Sequence, residues 1–188
     1  AAMEDTMKRI TQLLNYCATN PGAIVCFVAS GMCLWIDSDA LYLSESTKAR
    51  SRYAGYHYLS NMPLNPDHPP TATDPPPMHN GAVNIPCSIM HEVLSSAAEA
   101  ELGGAYNNAK EACPIRICLE ELGHPQPPTP LKTDNTTANG IANGTVKQKR
   151  SKAIDMRFYW LGDRVRQKQY HVYWAPGPNN KSDYFTKH

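Results

Sequence analysis

The stretch Met32-Cys-Leu-Trp-Ile-Asp-Ser-Asp-Ala-Leu-Tyr-Leu43 constrains this chain more than any other. Trp35 and Ile36 favour a strand, and Gly31 just before them favours a turn. Side chains alternate along a strand, so Cys33, Trp35, Asp37 and Asp39 fall on one face. Two of those four are acids on an otherwise apolar face. A buried carboxylate is costly unless a cation stands beside it, so each acid predicts a metal ion or a basic side chain nearby. The alternative is a strand that ends near Asp37, with both acids in a solvated loop.

At 188 residues the chain is long enough for one domain with a real core, with room for an appended arm. Its 18 basic and 17 acidic residues leave a net charge of +1, which excludes a polycation, so any nucleic-acid surface has to be local. No apolar run reaches the ~18 residues of a membrane span. The start, Ala-Ala-Met-Glu-Asp-Thr-Met-Lys8, lacks a basic region followed by an apolar one, so no signal peptide and no secretion are expected. Cys17, Cys26, Cys33, Cys87, Cys113 and Cys118 include no C-x-x-C pair, and no histidine stands at zinc spacing from a cysteine. A reducing compartment and no structural zinc follow as expectations.

Met7, Ile10, Leu13, Leu14 and Cys17 recur at helical spacing and predict a helix over residues 4 to 18, ended by Asn20-Pro-Gly22. Residues 1–22 are set apart as a connecting helix, and residues 23–188 as the domain. Two apolar runs, 23 to 29 and 32 to 39, flank Ser30-Gly31 and predict a hairpin. The aromatic stretch 51 to 60 predicts the next strand. Residues 63–79 hold seven of the sixteen prolines and predict an irregular surface loop. A third strand over 81 to 90 is interrupted by Pro86, which suits an edge or a bulge.

Ser96-Ala-Ala-Glu99 has the form of a capping box and opens a helix to Ala112, which Pro114 should kink or split before it resumes to Leu122. Small residues 98, 105, 109 and 112 with Leu102 make a narrow stripe suited to close packing on a sheet, and Glu101 lies on its flank. A strand over 131 to 134, a helix over 135 to 143, a helix over 154 to 167, a strand over 170 to 174 and a terminal helix over 181 to 188 complete the chain. Hairpins followed by helix–strand–helix argue an α/β fold, a mixed central sheet with helices packed on it.

Four acids stand at informative places: Asp39 on a strand, Glu101 early in a helix, Asp134 at a strand end, and Asp183 opening the last helix. Each also has a plain reading. Asp134 or Asn135 suits the cap of the next helix, and Asp183 suits the positive end of a helix dipole.

Six pieces of sequence join these positions. They are Ser38-Asp-Ala40, Ser51-Arg-Tyr-Ala-Gly-Tyr56, Ser95-Ser-Ala-Ala-Glu-Ala-Glu-Leu102, Thr133-Asp-Asn-Thr-Thr-Ala138, Lys149-Arg-Ser-Lys-Ala-Ile-Asp-Met-Arg157 and Ser182-Asp-Tyr-Phe-Thr-Lys187. In this order they resemble the ribonuclease H domain of copia-type LTR retrotransposon polyproteins, over nearly the whole chain from about residue 23. The N-terminal helix resembles the segment that connects such a domain to the reverse transcriptase. No Tyr-x-Asp-Asp polymerase motif is present.

The resemblance implies the ribonuclease H-like fold and metal-dependent endonucleolytic hydrolysis of the RNA strand of RNA–DNA hybrids. It implies metal ligands in the order Asp-Glu-Asp-Asp, which fall on Asp39, Glu101, Asp134 and Asp183. Two Mg²⁺ ions, with Mn²⁺ able to substitute, would activate a water and stabilise the leaving oxygen from about 3.5–4 Å apart. Carboxylates suit such hard ions better than Cys or His. Asp37 shares the strand face but lies outside the Ser-Asp-Ala match. The resemblance also implies a reverse transcriptase domain on the same polyprotein, and a cytoplasmic location in a virus-like particle or a nuclear one.

Lys147, Lys149, Arg150, Lys152, Arg157, Arg164, Arg166 and Lys168 crowd one stretch against Asp155 and Asp163. Beside an acidic site this reads as a phosphate-backbone surface, with Lys149, Arg150, Lys152 and Arg157 its foremost members. The plain alternative is a solvated helix. Ser38, Ser95 and Asn135 flank the acids and are candidates for 2′-hydroxyl contacts. Two features depart from the family: Gly103-Gly104 and Pro114 weaken the long helix, and the loop Ala175-Pro-Gly-Pro-Asn-Asn180 lacks the histidine of cellular and retroviral relatives. These departures keep a second reading in play, a non-catalytic domain retained as a nucleic-acid-binding or structural part of a larger assembly.

Overall fold

The computed structural model describes residues 2–45, 49–146 and 155–187. Lys147, Lys149, Arg150 and Lys152 therefore lie outside the described residues. The elements are α1 (Ala2–Thr19), β1 (Cys33–Leu41), β2 (Arg52–Ser60), β3 (Ala82–Asn84), β4 (Cys87–Ile89), α2 (Ala97–Glu121), β5 (Thr129–Thr133), α3 (Thr136–Ala142), α4 (Asp155–Arg166), β6 (Tyr170–Trp174) and α5 (Asp183–Lys187). A 3-10 turn, Gly177–Asn179, precedes α5.

The sheet runs β3-β2-β1-β5-β6, with β4 also paired to β2. Strands β1 and β2 are antiparallel, with Asp39 opposite Ala54 and Trp35 opposite Tyr58. Strand β5 lies parallel to β1, with Asp37 level with Lys132, and β6 lies parallel to β5. Both edges of β1 are thus occupied, which makes it the centre of a mixed sheet. Leu34 and Ile36 point into the main core with Leu102, Ala105, Ala109, Leu131, Leu161 and Val172. Cys33 and Trp35 point the other way, against Tyr58 and Tyr173.

Three expectations need correction. Residues 23–29 form no strand and stay exposed, because β2 and β5 fill the edges of β1 that a hairpin would need. Instead the segment lies beside residues 80 and 81, tied by paired hydrogen bonds between the Asn80 side chain and Val28, both 2.8 Å. The strand expected over 81 to 90 is two short strands parted at Ile85-Pro86, since proline has no N–H for the ladder. Finally, Pro114 does not split α2, which runs unbroken from Ala97 to Glu121. Pro114 and Lys110, whose carbonyl loses its donor, are both exposed, so that carbonyl is left on the solvent side of the helix, while Ala112 and Leu119 stay anchored in the core. Residues 61–81 carry neither helix nor strand and join β2 to β3.

Candidate metal centre

Asp39, Glu101 and Asp134 bring one carboxylate oxygen each to within 4.8 Å of one another. They come from β1, α2 and the residue after β5. The register accounts for the meeting point. Pairing of β1 to β5 stops at Asp37 level with Lys132, so two residues on Asp39 and Asp134 stand across the opening between the strands. That opening lies at the carboxyl ends of parallel strands, where open α/β sheets place their ligands.

Glu101 reaches the opening because α2 sits close to the strand. A Cβ on Gly104 would stand 3.2 Å from the Ala40 Cβ and 3.4 Å from the Asp39 carbonyl oxygen. The glycine that weakens the helix in isolation is thus what allows this approach. Ala40 N–H then donates to Glu101 Oε1 at 3.0 Å, and the Thr133 hydroxyl donates to Oε2 at 3.4 Å. The turn before α5 closes on Asp134, where a Cβ on Gly177 would lie 3.0 Å from Oδ2. Trp174 Nε1–H donates to the Asp134 carbonyl at 2.9 Å.

Asp183 lies outside this group of three. Its carboxylate pairs with Lys187 at 2.5 Å, and its charge acts on Asp39. Thr186, one turn on in α5, donates its hydroxyl to Asp39 Oδ2. Nothing in the motif singled Thr186 out beyond its spacing of three residues from Asp183.

Burial raises the pKa of the Asp39 carboxyl, the charges of Asp134 and Asp183 raise it further, and the Thr186 hydroxyl opposes them. Glu101 is pushed up to about 8, first by burial and then by the charge of Asp39. Among the described residues none of the three clustered acids is in an ion pair. Mutually repelling all-oxygen donors, two of them buried and Asp134 half-buried, fit a hard divalent cation, whose charge would offset both burial and repulsion.

Asp37 is different. It is 1% exposed and pairs with Lys132, itself 4% exposed, at 2.8 Å. Lys181 N–H donates to the same oxygen at 3.1 Å, and Lys132 also donates to the Asn179 carbonyl at 2.7 Å. Asn180 Nδ2 donates to the Ser38 carbonyl at 2.9 Å. These bonds pin the 179–181 turn to β1, and thereby fix where α5 begins. Neither Lys132 nor Asn180 was singled out in the sequence, because each acts on residues more than 90 positions away.

The flanking polar candidates divide. Ser38 has no exposed surface, and its hydroxyl accepts from Asn108 Nδ2 at 3.0 Å, so it is a core residue and not a contact for nucleic acid. Ser95 is exposed, and its N–H and hydroxyl both donate to Glu99 at 2.7 Å. The capping box is thereby displaced by one residue: Ser96 accepts from Glu99 N–H, while the Glu99 carboxylate returns to Ser95. Asn135 caps α3 by accepting from Ala138 N–H at 2.9 Å. Arg157 is bound by Glu92 and lies over the Tyr106 ring, which occupies its guanidinium at home.

No family model matches the chain. A search of curated proteins matches 107 residues, 57% of the chain, at 27% identity to the retrovirus-related Pol polyprotein from transposon TNT 1-94 of Nicotiana tabacum. That match spans 8% of the polyprotein's length. Among solved structures, the N-terminal ribonuclease H domain of a Mycobacterium tuberculosis protein superposes with TM-score 0.52 and 14% identity, over 82% of this chain and 91% of that one. The LC11 ribonuclease H in complex with an RNA/DNA hybrid superposes with TM-score 0.53 and 10% identity, over 81% and 92%. The fold is therefore ribonuclease H-like, and the sequence likeness is to a retrotransposon Pol polyprotein, as the six motifs imply.

Proposed function

We propose that this domain is a copia-type ribonuclease H, a divalent-metal-dependent endonuclease that hydrolyses the RNA strand of RNA–DNA hybrids. The observation that carries the reading is the convergence of Asp39, Glu101 and Asp134 from three separate elements with, among the described residues, no basic side chain in an ion pair with them. Mg²⁺ bound there would activate water and stabilise charge on the leaving oxygen. The chain's own residues do the positioning. Ala40 N–H and Thr133 hold the two oxygens of Glu101, Thr186 holds Asp39, and Gly177 leaves room for Asp134. Asp183 is the fourth acid of the set, at the rim, and Lys187 stands in for a cation beside it.

Hybrid binding rests on phosphate contacts from Lys149, Arg150 and Lys152, while Ser95 and Asn135 remain candidates at the mouth of the site. In the proposal the domain works beside a reverse transcriptase on one polyprotein, in the cytoplasm or the nucleus. Among the described residues no helix is long and apolar enough to cross a membrane. Replacing Lys149, Arg150 and Lys152 by alanine should flatten the salt dependence of hybrid binding, by up to ~0.9 log unit per log unit of salt for each lost contact. An unchanged slope moves the binding surface elsewhere.

A labelled RNA–DNA hybrid, with RNA duplex and DNA duplex as controls, tests the function. Cleavage of the RNA strand of the hybrid alone, present with Mg²⁺ or Mn²⁺ and absent with chelator, is the expected result. The second reading, a non-catalytic domain, is favoured by the Gly177-Pro178-Asn179 turn, which offers no histidine. It predicts hybrid binding without cleavage under either metal.

A further inference from the structure

Helix α1 has an apolar seam that none of the described residues covers. Met3, Met7, Ile10, Leu14 and Cys17 recur at alternating intervals of four and three residues. This averages 3.5 residues, the period of a coiled-coil seam, and is narrower than the stripe by which helices pack on a sheet. Every described side chain from Met3 to Ala29 is exposed, Leu14 by 62%. A lone helix of 18 mixed residues is marginal in water, so this one needs a partner to persist. We infer that α1 pairs with α1 of a second copy of this chain in a short parallel coiled coil.

Three features select that occupant. The seam matches a helix of the same period, with Met7 and Leu14 as one set of layers and Met3, Ile10 and Cys17 as the other. The positions that flank the seam in a parallel self-pair set Thr6 against Thr11 and Leu13 against Ala18, so no like charges meet. Charged Asp5, Lys8 and Arg9 stand outside, and Arg9 pairs with Asp5 along the outer face at 3.2 Å. The parallel direction follows from the residues after the helix. Ile24 and Phe27 are 80% and 64% exposed, and a parallel pair brings both copies of this patch to the same end of the coil. An antiparallel pair would leave the two patches apart in water. Five seam positions make a short coil, so the dimer depends on concentration.

Sedimentation equilibrium of the full chain, from low micromolar to several hundred micromolar, should show a monomer–dimer equilibrium. Leu14→Lys should weaken it at least about tenfold, as expected for a charge in the seam, and because Leu14 is exposed the melting curve should not move at concentrations where the parent is monomeric. Mild oxidation should link two chains through Cys17. The link should survive replacement of the exposed Cys26, Cys87 and Cys118, and vanish in Cys17→Ser. A chain that stays monomeric throughout, or a dimer indifferent to Leu14→Lys, overturns the proposal. A dimer that forms no Cys17 link overturns the parallel register.

Discussion

Asp37 and Asp39 stand two residues apart on the same face of the same strand, both buried, and they meet opposite surroundings. Opposite them, Lys132 and Asp134 stand two residues apart at the end of β5. The parallel register sets Asp37 level with Lys132, so that pair is neutral. Two residues on, an acid faces an acid. Burial alone would raise the Asp37 pKa, yet the His79 ring 3.7 Å from its carboxylate and the Lys132 ammonium hold it below its ordinary value, while Asp39 is raised. Burial therefore does not distinguish an acid with a cation beside it from one without. What decides is whether the fold itself supplies the cation.

The comparison predicts a crossed pair of outcomes. Asp39→Asn should lower hybrid cleavage by about 10²–10³-fold while leaving the fold intact, since the amide still accepts from Thr186 but lacks the charge that the proposed metal would use. Asp37→Asn should instead cost about 3–5 kcal/mol of stability, because the buried Lys132 ammonium loses its counter-charge. Its cleavage rate per folded molecule should stay within a few fold of the parent. Chemical denaturation alongside activity separates the two. A stability loss in Asp39→Asn matching that of Asp37→Asn would erase the distinction.

The same contrast appears against pH. Glu101 has a folded pKa of about 8, against an ordinary 4.5, because burial and then Asp39 disfavour its charge. Between those values the folded chain holds a proton that the unfolded chain releases. Stability of the metal-free protein should therefore fall as pH rises through that window, by a few kcal/mol in order of magnitude. The Asp37 shift runs the other way, so its contribution is present above about its ordinary 3.8 and is lost as pH drops through its folded pKa. Millimolar Mg²⁺ should flatten the alkaline fall and leave the acid side unchanged. Denaturation midpoints from acid to alkaline pH, with and without the ion, measure both.

A smaller effect is expected at Gly177. An alanine there would press its methyl on Asp134 Oδ2 and shift the carboxylate. Cleavage should drop by roughly tenfold, since small misplacements near the reacting groups are costly, with a stability change under about 1 kcal/mol. An unaltered rate would show that Asp134 has freedom to move.

Much of this was legible in the sequence. The alternation through Cys33, Trp35, Asp37 and Asp39 placed both acids on one face, and the Ser-Asp-Ala motif separated them. The order of elements from β1 to α5 followed from periodicity and turn residues. The errors arose where a local pattern was asked a non-local question. Residues 23–29 have the composition of a strand, but composition does not say which sheet edge is free. Pro114 removes one ladder bond, and whether the helix survives that depends on the exposure of its turn and the anchoring of its other face, which local sequence does not state. Gly104 reads as a propensity fault until Ala40 is placed against it. Lys132 carries no motif, and its role exists only through a register set by tertiary pairing. Ser38 flanks the site in sequence yet points into the core, because its neighbour Asp39 points out of it.

The most direct test is Mn²⁺ binding followed by electron paramagnetic resonance, on the parent chain, Asp39→Asn and Asp37→Asn. The account predicts saturable binding in the parent, binding kept in Asp37→Asn wherever it is folded, and binding lost or greatly weakened in Asp39→Asn. Equal Mn²⁺ affinity in the parent and Asp39→Asn would contradict it.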